Sequence, residues 1–410
     1  MKDGIAWLEH ATRTPLRRGV AIFLFLFPLL GNLVSRIAKH GWWLNDFDAV
    51  ACGAHQLANG LSPYSIHPVC AGLRPAPFVY APQVGQVFAP LVEGLGFAGA
   101  RAAWLIVLIP ALAFLGWYAL FHALPRAPFL PRLMVVSAMA GSAAACGNIG
   151  LVLHAMVIVA ALLIMRSRWP FIAAVAVAAM VKPMFLLYLA VLLLEDRPLW
   201  ARLRTAAVAG IIGLGGVIAV IATAGSLGKQ WHAVLDAIVI RQQPGIGLFS
   251  FTSLAGLSST SPLTLAVYSL FALLMLAAGV MLAQGMDGRE RLVLGIGLAQ
   301  LLNPRLMDYD LPALAPAIVT IVMTARARGG RLAGWTTWAF VAVLAGGMLI
   351  NILEINGIHR APIAVFVFIL IVLAVAADKA RLIDHIAVIT RRKGPARHLK
   401  STVPGTEPEV

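Results

Sequence analysis

The sequence predicts an all-α, polytopic membrane protein. Of its 410 residues, 60% are hydrophobic and only 12% are charged, and the mean hydropathy is +0.87. Soluble domains are about half apolar and about a quarter charged, so this chain lacks the polar residues to cover two or three soluble domains. The apolar residues recur in blocks of about 15 to 22, separated by short basic or Gly/Pro-rich stretches. This pattern excludes an ordinary soluble protein.

The apolar blocks define about twelve transmembrane helices in a single domain, residues 1–380. A helix crosses the hydrocarbon core with about 20 apolar residues, and a shielded helix needs somewhat fewer. The expected spans lie near residues 19–36, 101–122, 133–147, 149–165, 168–181, 183–194, 206–224, 263–284, 290–303, 311–325, 332–353 and 361–377. The pairs that meet at Gly147–Asn148 and at Lys182–Pro183 also fit broken or re-entrant helices.

The distribution of Lys and Arg predicts the orientation. With the N-terminus in the cytoplasm, 23 of the 32 basic residues fall in inside segments and nine fall outside. Short basic loops stay cytoplasmic, so we expect a bacterial inner-membrane protein with both termini in the cytoplasm. The positive charge is then a topology signal, and no nucleic-acid partner is expected. Residues 381–410 form a basic, partly disordered cytoplasmic tail whose charges suit anionic membrane lipids.

Two outer segments, residues 37–100 and 225–262, are longer than a connection requires, so any chemistry is expected on the periplasmic face. Asn45 is expected to cap an interfacial helix in the first segment, which ends near Asn59 and Gly60. Asp46 and Asp48 lie in the first turn of this helix. They suit a general base, a divalent-cation site or a solvated helix start that the helix dipole favours, and nothing in the pattern requires a metal or another cofactor.

Five motifs follow one another over about residues 40–310. They are Asp46-Phe-Asp with its small-residue helix to Gly60 and Pro63-Tyr64, Phe78-Val-Tyr80-Ala-Pro82, Gly147-Asn148, Val181-Lys182-Pro183, and Ser250-Phe-Thr-Ser-Leu-Ala-Gly256. In this order they resemble the polyprenol-phosphate-sugar-dependent glycosyltransferases of family 87, membrane enzymes of the GT-C type. The resemblance implies a GT-C-like fold and inverting transfer of a hexose or pentose from a polyprenyl-phosphate donor to a lipid-linked or envelope glycan acceptor. It also implies that Asp46 is the general base and that Asn148 and Lys182 belong to the donor site.

One outer loop departs from the family. Where members often have Ser-x-x-Ser-Trp-x-His-His, this chain has Asn303-Pro-Arg-Leu-Met-Asp-Tyr-Asp310. Arg305 and the carboxylates Asp308 and Asp310 replace the histidines, so donor recognition is expected to differ. If this turn is helical, Arg305 and Asp308 are neighbours on one face and Asp310 projects elsewhere.

The expected chemistry assigns roles to the other polar residues at the outer face. A leaving phosphate is stabilised by positive charge, and Lys182, Arg305, Arg241 and Arg360 are candidates, although Lys and Arg at these places also snorkel to the interface. 

Four other polar side chains have expected roles. Tyr64 and Tyr80 suit stacking on sugar rings. His55 either meets the acceptor or points into the headgroups. His154, inside a span, is expected to bond to a neighbouring helix.

The three cysteines exclude a disulfide scaffold and a four-cysteine zinc site. Cys52 and Cys70 share the first outer loop and would form a disulfide in an oxidising periplasm. Alternatively, Cys52 belongs to the small-residue face of its helix.

The alternative function is a transporter or flippase of a lipid-linked or small polar substrate, which twelve spans also suit. A transporter usually has ionisable residues near the membrane midplane. In this sequence they collect at the outer ends of the spans and in one long outer loop, which favours the glycosyltransferase.

Overall fold

A computed structural model describes residues 3–38, 43–140, 143–242, 245–352 and 363–376, and within these ranges every regular element is a helix. The α-helices are α1 (Gly4–Ala11), α2 (Pro15–Ala38), α3 (Asn45–Ala58), α4 (Pro82–Trp117), α5 (Phe129–Ala140), α6 (Ala143–Cys146), α7 (Ile149–Leu162), α8 (Trp169–Val181), α9 (Ala190–Leu193), α10 (Leu199–Ala222), α11 (Leu227–Val234), α12 (Leu248–Leu254), α13 (Pro262–Ala283), α14 (Gly288–Leu301), α15 (Leu311–Arg328), α16 (Gly330–Ile352) and α17 (Ile363–Ala376). The segments Tyr118–His122 and Leu235–Gln242 are π-helical, and Pro183–Leu189 and Asp308–Asp310 are 3₁₀-helical.

A helix occurs at each of the twelve positions where the sequence predicts a span. Four of the described helices are long and apolar enough to cross a membrane, namely α4 with its π-helical continuation, α10, α13 and α15. The bent pair of α1 and the first part of α2 makes a fifth if it is counted as one span, whereas α7, α8 and the described part of α17 are shorter apolar helices. The chain is therefore an all-α, membrane-embedded protein, and the number of twelve spans stays a prediction.

The core lies around α14 and α15. Every residue from 293 to 302 and from 311 to 322 is buried. The two helices approach so closely that a Cβ atom on Gly297 would lie inside the space of Ala317. Helices that are apolar on all sides are buried in this way, and α5, α9, α13, α16 and α17 pack against this pair.

The helices that approach the core have polar groups at both ends. Helix α8, with a rise of about 20 Å for its 13 residues, lies between Arg168 and Lys182, its N-cap and C-cap. Helix α15 has Asp310 as its N-cap and Arg326 in its last turn. Arg168 pairs with Glu195 at 2.7 Å between Nη2 and Oε2. The molecule therefore has one polar end that contains Arg168 and Arg326 and another that contains Lys182 and Asp310.

A helix, α3, occurs where the sequence predicts an interfacial helix, and Gly60, with φ of 70°, follows its end. The prediction that Asn45 caps it is wrong. Asn45 is the first helical residue, and the N-cap is Leu44, which has no side-chain cap and adopts a left-handed φ of 57°. The Leu44 N–H donates to the Ala145 carbonyl at 2.9 Å, and the Leu44 side chain is fully buried. The start of α3 is therefore fixed by the tertiary contacts of Leu44 and not by a capping side chain of Asn45.

The predicted outer segments contact one another. The Trp231 indole N–H donates to the Val79 carbonyl at 3.1 Å, which joins the second outer segment to the first. The Ile246 N–H donates to the Leu306 carbonyl at 2.7 Å, which joins the second segment to the loop at residues 303–310. All three outer regions therefore lie at the same end of the molecule.

Candidate active site

Asn148 joins the two residues that the sequence places at the centre of the site. Its Nδ2 donates to Asp46 Oδ2 at 2.7 Å, and its Oδ1 accepts from Lys182 Nζ at 2.7 Å. The same Oδ1 accepts from the Gly150 N–H at 2.8 Å, so Asn148 is also the N-cap of α7. One amide therefore fixes a carboxylate and an ammonium group on either side of it.

Two left-handed residues bring α3 and α7 together at this point. Gly147 has a φ of 68°, next to Leu44 with its φ of 57°. A Cβ on Gly147 would lie 2.6 Å from Leu44 Cδ2, so only glycine fits there. Trp104 of α4 donates to the Gly147 carbonyl at 3.0 Å. A left-handed leucine costs about 1–3 kcal/mol, and this packing is what holds it next to Asp46.

Lys182 lies between two aromatic rings. Its Nζ is 4.2 Å from the ring centroid of Tyr309 and 5.7 Å from that of Tyr80, within the range of cation–π attraction. A Cβ on Gly150 would lie 3.0 Å from Lys182 Nζ, so the missing side chain leaves room for the ammonium group. The ammonium has three N–H donors, and the structure shows one of them bonded to Asn148.

Burial and the neighbouring charges determine the protonation of the Lys182 ammonium group. Lys182 lies in the break between α8 and the 3₁₀ segment Pro183–Leu189 and belongs to neither helix. Burial lowers the pKa of Lys182 to about 8, and the carboxylates of Asp310 and Asp46 oppose this fall while Arg305 adds to it. Burial also raises the pKa of Tyr80 and Tyr309 well above that of a free tyrosine. At neutral pH the site thus contains a protonated lysine between two uncharged phenols.

The loop at residues 303–310 is closed by Asp310. Its Oδ2 accepts from the Met307 N–H at 3.0 Å and from Asn303 Nδ2 at 3.3 Å, and Asn303 Oδ1 accepts from the Arg305 N–H at 3.0 Å. Residues 303–307 are not helical, so the condition under which Arg305 and Asp308 would be neighbours on one helix face is not met. The carboxylate expected to project elsewhere instead organises the loop. Arg305 is close enough to affect the pKa of Lys182.

Asp48 is separate from this site, although it is two residues from Asp46. Its side chain is fully buried, and it forms a two-pronged ion pair with Arg101 of α4, with 2.7 Å between Oδ1 and Nε. The Arg74 N–H also donates to Asp48 at 3.4 Å. The expectation of a solvated helix start or a ligand-binding carboxylate is therefore wrong for Asp48. Its partners also remove it from the cation site considered with Asp46.

His55 and Tyr64 have structural partners. His55, at the far end of α3, contacts Glu93 at 2.8 Å between Nδ1 and Oε1, and both side chains are about half exposed. The Tyr64 hydroxyl donates to the Tyr80 carbonyl at 3.0 Å, and its ring packs against Phe78. Tyr64 therefore fixes the loop that places Tyr80 and does not itself reach Lys182.

Three candidate side chains are outside what the structure describes. Arg241 lies in the π-helical segment and Asp308 in the 3₁₀ segment, but only their backbones are described; Arg360 lies outside the described residues. Their predicted roles stay predictions.

Two residues of the site were missed from the sequence. The sequence assigns no separate role to Tyr309 within the divergent loop, and the only sequence signal for the small size of Gly150 is its place two residues after Asn148. An aromatic residue between two acids at the head of an apolar span was the available signal for Tyr309.

The structure also decides between the alternatives for the cysteines. Cys52 and Cys70 form a disulfide with 5.9 Å between their Cα atoms, and Cys146 is buried. The disulfide ties the first outer loop to α3.

Among the described residues, no three His, Cys, Asp or Glu side chains converge as a metal-binding group. The groups around Asn148 are instead two carboxylates, Asp46 and Asp310, and two cations, Lys182 and Arg305. Asp310 is bonded within its own loop, so Asp46 and Lys182 are the pair that suits an alcohol and an anion.

No family model matches this chain, and no curated protein or solved structure is significantly similar to it.

Proposed function

We propose that the chain is an inverting membrane glycosyltransferase, which transfers a sugar from a polyprenyl-phosphate donor to a lipid-linked or envelope glycan. The observation that carries the proposal is the bridge from Asp46 through Asn148 to Lys182, at 2.7 Å on each side. It brings together a carboxylate that can accept a proton and an ammonium group that can bind phosphate, and inverting transfer from a lipid phosphate requires one group of each kind. The sequence motifs that resemble family 87 supply these same three residues.

In the proposed step, the acceptor hydroxyl attacks the anomeric carbon and loses its proton to Asp46. The bond between that carbon and the phosphate oxygen breaks, and its electron pair leaves with the polyprenyl phosphate. The products are the new glycoside, a phosphate monoester with one more negative charge, and a protonated Asp46. Lys182 and Arg305 would stabilise the added charge, and the proton would then pass to water.

The charge distribution supports a periplasmic site in a bacterial inner membrane. Lys182 and Asp310 lie at the opposite end of α8 and α15 from Arg168 and Arg326. Short basic loops mark the cytoplasmic side, so the site would face outward and both termini inward. The disulfide of Cys52 and Cys70 suits that orientation, because disulfides persist in oxidising compartments.

The alternative is a transporter or flippase. Against it, Lys182 and Asp310 lie at one polar end of the molecule, opposite the end of α8 and α15 that contains Arg168 and Arg326. Substrate sites of secondary transporters lie near the bilayer midplane. This placement favours chemistry at the headgroup level.

The direct test supplies the purified protein in lipid vesicles with a panel of polyprenyl-phosphate hexoses and pentoses, each labelled in the sugar, and with lipid extract as acceptor. We expect label to enter one class of glycan or lipid with release of unlabelled polyprenyl phosphate. Movement of intact labelled lipid between leaflets, without cleavage, would instead support the flippase.

The pKa of Lys182 gives a second expected result. Methyl farnesyl phosphate is a diester whose single negative charge does not change between pH 6 and 10. If Lys182 binds phosphate as the ammonium form, affinity should be constant below about pH 8. It should then fall as the pH rises through that value, approaching tenfold per unit. Equilibrium dialysis in detergent measures the affinity.

The control is Lys182→Arg, since a guanidinium stays protonated over this range. The affinity of this variant for methyl farnesyl phosphate should not change up to pH 9.5. A flat profile in the unmodified protein would show that Lys182 does not bind the phosphate as a cation.

A further inference from the structure

A buried imidazole joins the divergent loop to α7. His154 Nε2 lies 2.9 Å from Asp310 Oδ1, and His154 Nδ1 lies 2.7 Å from the Tyr188 hydroxyl. The three side chains are between 1% and 6% exposed. Each ring nitrogen therefore has one partner. With the Tyr188 O–H as donor to Nδ1, Nε2 carries the hydrogen that is donated to Asp310.

The same helix contributes to the site at two positions. Asn148, at the N-terminus of α7, contacts Asp46 and Lys182, and His154, six residues further along, contacts Asp310. Six residues correspond to a rise of about 9 Å. Helix α7 thus fixes both halves of the site, the carboxylate–lysine bridge directly and the divergent loop through Asp310.

Asp310 needs its His154 partner to hold the loop. One of its oxygens accepts from the Met307 N–H and from Asn303, while the other accepts from His154. A buried carboxylate that loses a hydrogen-bond partner is strongly disfavoured. Without His154, Asp310 would gain by turning towards water, which would release the Met307 N–H and the turn that carries Arg305.

We propose that His154 is a positioning residue: through Asp310 it holds the 303–310 loop so that Tyr309 and Arg305 lie beside Lys182. The consequence for phosphate affinity rests on the proposed function, whereas the consequence for the loop does not. His154 touches neither substrate nor Lys182 in this arrangement and acts only through Asp310.

Hydrogen exchange tests the loop directly. In His154→Leu, which has a similar volume and no hydrogen bonds, the amides of residues 303–310 should exchange about tenfold faster, with residues 293–301 of α14 unchanged. In His154→Gln the side-chain amide can still donate to Asp310, so exchange should stay within about threefold of the unmodified protein. Tyr188→Phe, which removes only the other contact of the ring, should behave like His154→Gln.

Binding of methyl farnesyl phosphate separates this inference from the proposed function. We expect the affinity to be about tenfold weaker in His154→Leu and restored in His154→Gln.

Unchanged exchange in His154→Leu, or faster exchange throughout α7, α14 and α15, would overturn the positioning role. A loosened loop with unchanged affinity would overturn its link to phosphate. Failure of the unmodified protein to bind the diester would refute the proposed function, and the exchange data would still decide the role of His154.

Discussion

Asp46→Asn should reduce sugar transfer by about a hundredfold or more, the range for loss of a general base. The amide keeps the size of the carboxylate, and its oxygen can still accept the Asn148 hydrogen bond. It cannot take the proton of the acceptor hydroxyl. Turnover in vesicles with the labelled donor should therefore fall, while affinity for methyl farnesyl phosphate should stay within a few-fold of the unmodified protein.

The matched control is Asp196→Asn. Asp196 pairs with Arg291 at 2.9 Å at the opposite polar end and is highly exposed. Asp196→Asn removes one carboxylate charge, as Asp46→Asn does, but far from the candidate site, so the rate of sugar transfer should not change. If Asp46→Asn turns over within threefold of the unmodified protein, Asp46 is not the base.

Asp48→Asn should lower the free energy of unfolding by about 3 kcal/mol. This is the lower end of the range observed when one of the two charges of a buried ion pair is removed. The substitution leaves Arg101, whose side chain is 29% exposed, facing a neutral amide at the fully buried position of Asp48. The free energy of unfolding in detergent, followed by circular dichroism during denaturant titration, measures the loss.

The same two helices share a second polar contact, which serves as control. His55 and Glu93 also join α3 to α4, but both side chains are 45% exposed. Exposed pairs contribute less than about 1 kcal/mol, so Glu93→Gln should have a much smaller effect than Asp48→Asn. Equal losses in the two variants would show that burial does not determine the contribution of the Asp48 pair.

Much of the helical organisation was predictable from the sequence. The apolar blocks place a helix at all twelve expected positions, and the interfacial helix ends next to Gly60 as predicted. Both features depend on local properties, namely the length of an apolar run and the conformational freedom of glycine. The motifs also predicted that Asp46, Asn148 and Lys182 belong to one site, and the structure brings these three side chains together.

Contacts between distant parts of the chain were not predictable. The cap of α3 is set by Leu44 packed on Gly147, about 100 residues away, and no local pattern contains that contact. The loop at 303–310 is closed by Asp310 and not by a helical pairing with Asp308, because His154 and Asn303 are available to Asp310 in the folded protein. The partner of each polar group depends on which helix faces it.

The two acidic residues of α3 show this limit most clearly. Residues two apart on an α-helix point about 200° away from each other, so the sequence determines that Asp46 and Asp48 face opposite sides. It does not determine which side faces Arg101 and which faces Asn148 and Lys182. The packing of α3 against α4, with the Asn148 cap of α7 at its first turn, decides that, because a buried carboxylate is stable only where a charge partner or hydrogen-bond donors meet it. The sequence by itself therefore determined the helices and the candidate groups, and the tertiary structure decided that Asp48 stabilises the fold while Asp46 contacts the candidate site.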